Sequence, residues 1–281
     1  MKIPKATLEL IRLSGKLAGA SAGAAITIHY EDPIAQFSGA VIGALFPEVI
    51  NDFAERALST REKIKVSAVI GFAAQRILAN VSSRPLNIEF LQLIDESYRS
   101  SAEELCEGIL LKAKTEFQEK KIKYIGALYA NSIFSSGVSP EDVNHMLSAV
   151  EGWTYRKLRI IALYGKKNYI FPERNIMKDP YIWYENATFS LSTRAVLQDI
   201  FELINMGIID RMRINLTDHL SLIPERFQLT NLGEQYFELM SLDEIPLQEL
   251  EPDIVAIEFK DCYGKNYLGQ VNSGLPDEQI S

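Results

Sequence analysis

The chain has 281 residues, 47% of them hydrophobic and 23% charged, a globular composition with enough length for two ordinary domains. A formal charge of −8 and a pI near 5.1 exclude broad nucleic-acid affinity, because phosphate binding needs a basic footprint; a local basic patch stays open. Cys106 and Cys262, the only cysteines, stand too far apart in sequence for a metal pattern or a disulfide framework, which points to a reducing, cytoplasmic setting.

The charge is uneven. Residues 1–80 hold 9 Lys/Arg against 7 Asp/Glu, and the rest hold 20 against 30. The start "MKIPKATLELIRLSGK" leads into an apolar run without a convincing A-x-A site, so a cleavable signal is not expected. Between Lys16 and Glu31 lie 14 residues without formal charge, and a second run of 14 extends from Ile34 to Pro47. As helices these would be roughly 21 Å long against about 30 Å of bilayer hydrocarbon, so neither spans alone.

A spacing of four turns successive helical residues by only about 40°, which puts Gly15, Gly19 and Gly23 on one slowly drifting stripe. Gly39 and Gly43 repeat the device, and Ser67 with Gly71 gives a third small-xxx-small pair. Each interior glycine costs about 0.8–1 kcal/mol relative to alanine, so such helices must regain stability by close packing. Two readings stay open. One is a soluble cluster of helices at 5–29, 34–57 and 60–80, the last opened by a Ser59/Glu62 capping box. The other is a hairpin that enters a membrane, with Lys2, Lys5, Arg12 and Lys16 at anionic headgroups.

After the loop "SSRPLN" a helix is expected around Ile88 to Ser97, followed by "SSAEELCEGILLKAKTEFQEKK". There Ser101/Glu104 forms a second capping box and Leu105, Ile109, Ala113 and Phe117 form one apolar face, with Glu116/Lys120 and Glu119/Lys123 as pairs on the wet side. "KIKYIGALYANSIF" continues the helical pattern. Ser139, Pro140 and Asp142 start the next helix, whose core face is Val143, Leu147 and Val150. "TYRKLRIIALYG" is the last of this set and ends near Gly165. Residues 166–189 break periodicity and carry six aromatics (Tyr169, Phe171, Tyr181, Trp183, Tyr184 and Phe189), with Tyr181, Trp183 and Tyr184 as candidate partner anchors.

"STRAVLQDIFELINMGII" reads as a helix ending at Gly207. A β-prone run "IIDRMRINL", a polar loop, a second run "RFQLT" and the helix "NLGEQYFELM" follow, the order of a winged-helix module. "LQDIFELINMGIID" and "RFQLTNLGEQYFELM" resemble the corresponding parts of winged-helix regulators of the multiple-antibiotic-resistance type, over a stretch of about 50 residues. The resemblance implies a DNA-reading helix and a basic wing. Arg194, Arg211, Arg213 and Arg226 are the candidate contacts to nucleic acid or another partner. Against them stand seven acids between 190 and 241, including Asp199 and Glu202 on the would-be reading helix.

Over residues 100–242, "KKIKYIGALYANSIF", "EDVNHMLSAVEGWTYRKLRIIALY" and "LTNLGEQYFELM" resemble the abortive-infection alpha family of bacterial phage-defence proteins. That resemblance implies a role in limiting phage infection and brings no catalytic residues. The tail from 246 is expected to add a strand at Ile254 to Phe259 and to be disordered beyond Gly264.

Chemistry is not legible. His29, His145 and His219 lack metal-ligand spacing, "GASAGA" lacks the ending of a phosphate loop, and Cys106 and Trp153 read as core residues. The expected fold is mainly α: multi-helical, with a glycine-striped N-terminal helical hairpin and a C-terminal winged-helix (α+β) module. The expected segments are 1–83, 84–165, 166–189, 190–245 and 246–281. The expected function is a non-enzymatic anti-phage protein without cofactor or small-molecule substrate, acting through a protein partner or self-association. It would be cytoplasmic, with peripheral or conditional inner-membrane association. The alternative is a soluble winged-helix DNA-binding regulator or protein adaptor.

Overall fold

A computed structural model describes residues 58–80, 83–87, 90, 100–171, 190–211 and 227–257. The described chain is mostly helical, with one two-stranded sheet. It forms two compact units, one ending at Tyr155 and taking back Leu239–Ser241, the other holding the rest from Arg156 onward. These units divide the chain differently from the segments at 84–165 and 190–245. The glycine stripe of Gly15, Gly19, Gly23, Gly39 and Gly43 lies outside the described residues. No helix among the described residues is long and apolar enough to cross a membrane.

The first unit contains α1 (Thr60–Asn80), α2 (Ser101–Thr115), α3 (Lys120–Ser132) and α4 (Pro140–Glu151). Helix α1 starts as expected: Glu62 N–H donates to Ser59 Oγ at 3.3 Å, and Ser59 N–H donates to Glu62 Oε2 at 2.7 Å. The Ser59 side chain, and then the Ser59 N–H, hold the Glu62 carboxyl below its usual range by hydrogen bonding to it. Helix α4 is capped likewise by Ser139 and Asp142 with Pro140 in its first turn, and Val143, Leu147 and Val150 are buried. The box on α2 is one residue earlier than expected. Ser100 N–H donates to Glu103 Oε2 at 2.6 Å and Glu103 N–H to Ser100 Oγ at 3.3 Å. Two overlapping Ser-x-x-Glu pairs compete there, and the first wins because the helix begins at Ser101.

A second correction concerns the end of α2. The apolar face Leu105, Ile109 and Ala113 is buried, but Glu116 turns extended at the C-cap and Phe117 is 81% exposed. The anticipated pair Glu116/Lys120 is therefore split by the break, whereas Glu119, the N-cap of α3, and Lys123 both follow it. Glu116 is buried and meets the buried Lys121 at 2.6 Å, and Glu119 pairs with Arg61 at 2.9 Å. Lys121 Nζ also donates to Trp153 O at 2.6 Å, and Lys65 Nζ to Glu116 O at 2.7 Å. With the helix broken at 116, the buried Glu116 carboxylate meets Lys121 while its main-chain carbonyl accepts from the buried Lys65.

Helix α3 is buried almost all round and lies close to α1. A Cβ on Gly126 would stand 2.9 Å from Val69 O and 3.2 Å from Phe72 Cβ. The close approach of α1 is thus visible at Gly126 of α3. The half-buried Gly71, singled out from sequence, lies between the α1 residues that Gly126 faces. Cys106 and Trp153 are core residues, as expected. Asn131, also buried, donates from Nδ2 to Leu239 O at 2.8 Å and to Ser241 Oγ at 2.9 Å.

The second unit contains most of α5 (Tyr155–Gly165), the helical turn α6 (Lys167–Ile170), α7 (Leu191–Asn205), β1 (Ile209–Arg211), β2 (Phe227–Leu229), α8 (Asn231–Leu239), a 3-10 turn (Leu242–Glu244) and α9 (Leu247–Ile257). Strands β1 and β2 are antiparallel, with Ile209 opposite Leu229. Residues 167–170 are thus helical where an irregular connector was expected. Within that connector Phe171 is buried and Tyr169 is 83% exposed, while Tyr181, Trp183, Tyr184 and Phe189 lie outside the described residues.

The strand anticipated at Ile254 to Phe259 is a helix as far as Ile257. Leu250, Ile254 and Ile257 are buried on one face at helical spacing. A short apolar run is ambiguous between strand and helix until its neighbours are placed.

Candidate docking face

Helix α7 is set in place at both ends. Ser190 Oγ accepts from Thr193 N–H at 3.1 Å. At the other end Gly207 has φ +71, its N–H donates to Ile204 O at 2.9 Å, and Ile208 N–H donates to Leu203 O at 2.9 Å. This is the Schellman arrangement, accompanied by burial of Ile208 and Leu203. It turns the chain directly into β1. Thr230 closes the other side: its Oγ1 donates to Gly207 O at 2.5 Å and accepts from Gly233 N–H at 3.1 Å. Gly233 is required here, because a Cβ would collide with the carbonyl oxygen of Ile208.

The inward side of α7 carries Thr193, Val196, Leu197, Asp199, Ile200 and Leu203, all buried. The outward side is formed by Leu191, Arg194, Gln198, Phe201 and Asn205, all exposed. At 100° per residue these five fall within an arc of about 80°. Leu191 is 84% exposed and Phe201 37%.

Both acids of α7 are paired. Asp199 Oδ2 meets Arg156 Nε at 2.5 Å, and Glu202 Oε2 meets Lys157 Nζ at 2.5 Å. Gln198 Nε2 donates to the other oxygen of Glu202 at 2.9 Å. This hydrogen bond, then Lys157 and Arg156, holds the Glu202 carboxyl below its usual range. The two acids that weigh against an anionic partner in the sequence are therefore paired with cations of α5: Asp199 is buried, and Glu202, its side chain 38% exposed, borders the outward arc beside Gln198.

Sequence reasoning missed Arg156, Lys157 and Arg159. The signal was their crowding into the first turn of an otherwise apolar helix, where Lys157 is buried. Of the other candidates, Arg194 is exposed on the outward arc and Arg211 stands in β1 opposite Phe227. Arg213, Arg226 and the anchors Tyr181, Trp183 and Tyr184 lie outside the described residues. His145 is exposed on α4, and no group of His, Cys, Asp and Glu able to hold a metal occurs among the described residues. Compared with protein-family models, with curated proteins and with solved structures, the chain matches none of them.

Proposed function

We propose that the chain is a non-enzymatic bacterial anti-phage protein that docks a protein partner through the outward arc of α7, with the glycine-striped N-terminal segment acting at a membrane or in assembly. The observation that supports docking is the arc on which Leu191 and Phe201 stand exposed beside Arg194. Large apolar side chains interleaved with one cation and two amides suit a protein interface, where aromatic residues and Arg carry most of the binding free energy. The anti-phage role rests on the resemblance of residues 100–242, and the effector role of the N-terminal segment rests on Gly15, Gly19, Gly23, Gly39 and Gly43.

The test is plaque formation on bacteria expressing the full chain, the variant R194E/F201E, and the paired substitution Gly19→Leu with Gly43→Leu. Protection by the unaltered chain and its loss in each folded variant is the expected result. Equal protection by R194E/F201E removes docking through α7, and no protection by any form removes the anti-phage reading.

A second reading, a DNA-binding module, is favoured by the capture of Asp199 and Glu202 in ion pairs. Arg194, Gln198 and Asn205 are side-chain types that read base edges. Charge reversal at Arg194, Arg211 and Arg213 abolishes a salt-dependent DNA complex on this reading, and an unchanged affinity overturns it.

A further inference from the structure

The ion pairs of α5 extend past the docking helix to the C-terminal helix. Arg159 Nη2 donates to Asp253 Oδ1 at 3.0 Å, and its Nε stands 2.8 Å from Asp253 Oδ2 without hydrogen-bond alignment. The Asp253 side chain is 2% exposed and that of Arg159 is 21%. An ionised carboxylate out of water needs acceptor contacts on both oxygens. Here Oδ2 is buried and accepts no hydrogen bond.

The charges facing Asp253 do not make up the deficit. Helix α5 supplies Arg159 and Arg156, but Arg156 is engaged at 2.5 Å by Asp199 of α7. Asp199 repels the Asp253 carboxylate, while Arg159 and Arg156 attract it. Lys157 is engaged by Glu202. The histidine among the described residues, His145, belongs to the first unit. Burial prevails, and the Asp253 carboxyl is pushed up to about 6.

Helix α9 also depends on its side-chain anchors more than most helices do. Pro252 lies inside it, removing one backbone donor and crowding the carbonyl one turn earlier. What seats α9 is then the apolar face Leu250, Ile254 and Ile257 together with Asp253, all buried.

We propose that Asp253 is an acid-responsive latch: uptake of one proton by its buried carboxyl tightens the seating of α9 in the second unit. The neutral carboxyl still accepts from Arg159 and no longer opposes Asp199. Arg159, whose side chain is 21% exposed, keeps contact with water. The inference stands independently of the docking reading, since it concerns the hold on α9 alone.

Hydrogen exchange on the full chain tests it, with rates corrected for the intrinsic pH dependence of exchange. Using the ordinary aspartate value of 3.8 and the folded value of about 6, protection of the α9 amides rises roughly sevenfold between pH 7.5 and 5.2. In D253N the rise disappears. A flat response in the unaltered chain, or the same rise in D253N, overturns the proposal. Carboxyl carbon NMR of the unaltered chain provides a check that needs no variant: titration of Asp253 near 6 supports the latch, and titration near 3.8 overturns it.

Discussion

Lys121 in the first unit and Arg159 in the second are both basic residues committed to a buried acid, yet they find it over different distances along the chain. Lys121 pairs with Glu116 across a single helix break and adds the carbonyl of Trp153. Arg159 reaches Asp253, 94 residues on, and Arg156 reaches Asp199, 43 residues on. The first arrangement fixes a local turn. The second ties separate helices of one unit to α5, so its charges act as tertiary fasteners. Such fasteners are seldom more stabilising than a matched apolar core, but removing the arginine leaves a buried acid uncompensated, whereas the arginines themselves are partly exposed.

The largest effect is expected at Lys121. K121M leaves Glu116 charged, with its side chain 6% exposed, and costs about 3–5 kcal/mol in chemical denaturation. E116L/K121M recovers most of that loss, because the pair's net contribution is small once both charges are gone. If the double variant were as unstable as the single one, local pairing would not explain the break at 116.

Next in size is Gly126→Ala. The added methyl meets Val69 O at 2.9 Å and Ala73 N at 3.3 Å, backbone atoms that cannot rotate away. A loss of about 1–3 kcal/mol is expected, even though alanine favours a helix by about 1 kcal/mol. Stabilisation would show that α1 and α3 can separate freely.

The caps distinguish sequence from structure. S100A costs about 1 kcal/mol in thermal or chemical denaturation, whereas S101A leaves the capping contribution intact. From sequence, Ser59/Glu62 and Ser139/Asp142 were legible because each is a lone pattern before an apolar period. The tandem serines at 100 and 101 were not separable by spacing. Phe117 was assigned to the core because helical periodicity continues past the point where Glu116 ends the helix. The run at Ile254 lacked the information that separates strand from helix.

For the candidate face, Gly207 as terminator and the order helix, strand, strand, helix were legible. The pairing of Asp199 and Glu202 was not, because their partners stand on α5 and no local rule connects positions 43 and 45 residues apart. Counting those acids against an anionic partner treated them as unpaired charges. In the folded unit they contribute to the attachment of α7.

The smallest expected effect on stability falls on the outward arc, and this gives the comparison its functional use. R194E and F201E alter side chains that face solvent, so each is expected to shift unfolding free energy by no more than about 0.5 kcal/mol. D199N, by contrast, disturbs a buried ion pair and lowers stability in the same assay. A partner that reads the outward arc loses affinity in R194E and F201E while the melting curve stays in place. With D199N, any loss of binding accompanies a loss of fold. If R194E and F201E instead destabilise as strongly as D199N, the arc is covered by the protein's own chain and docking must be sought elsewhere.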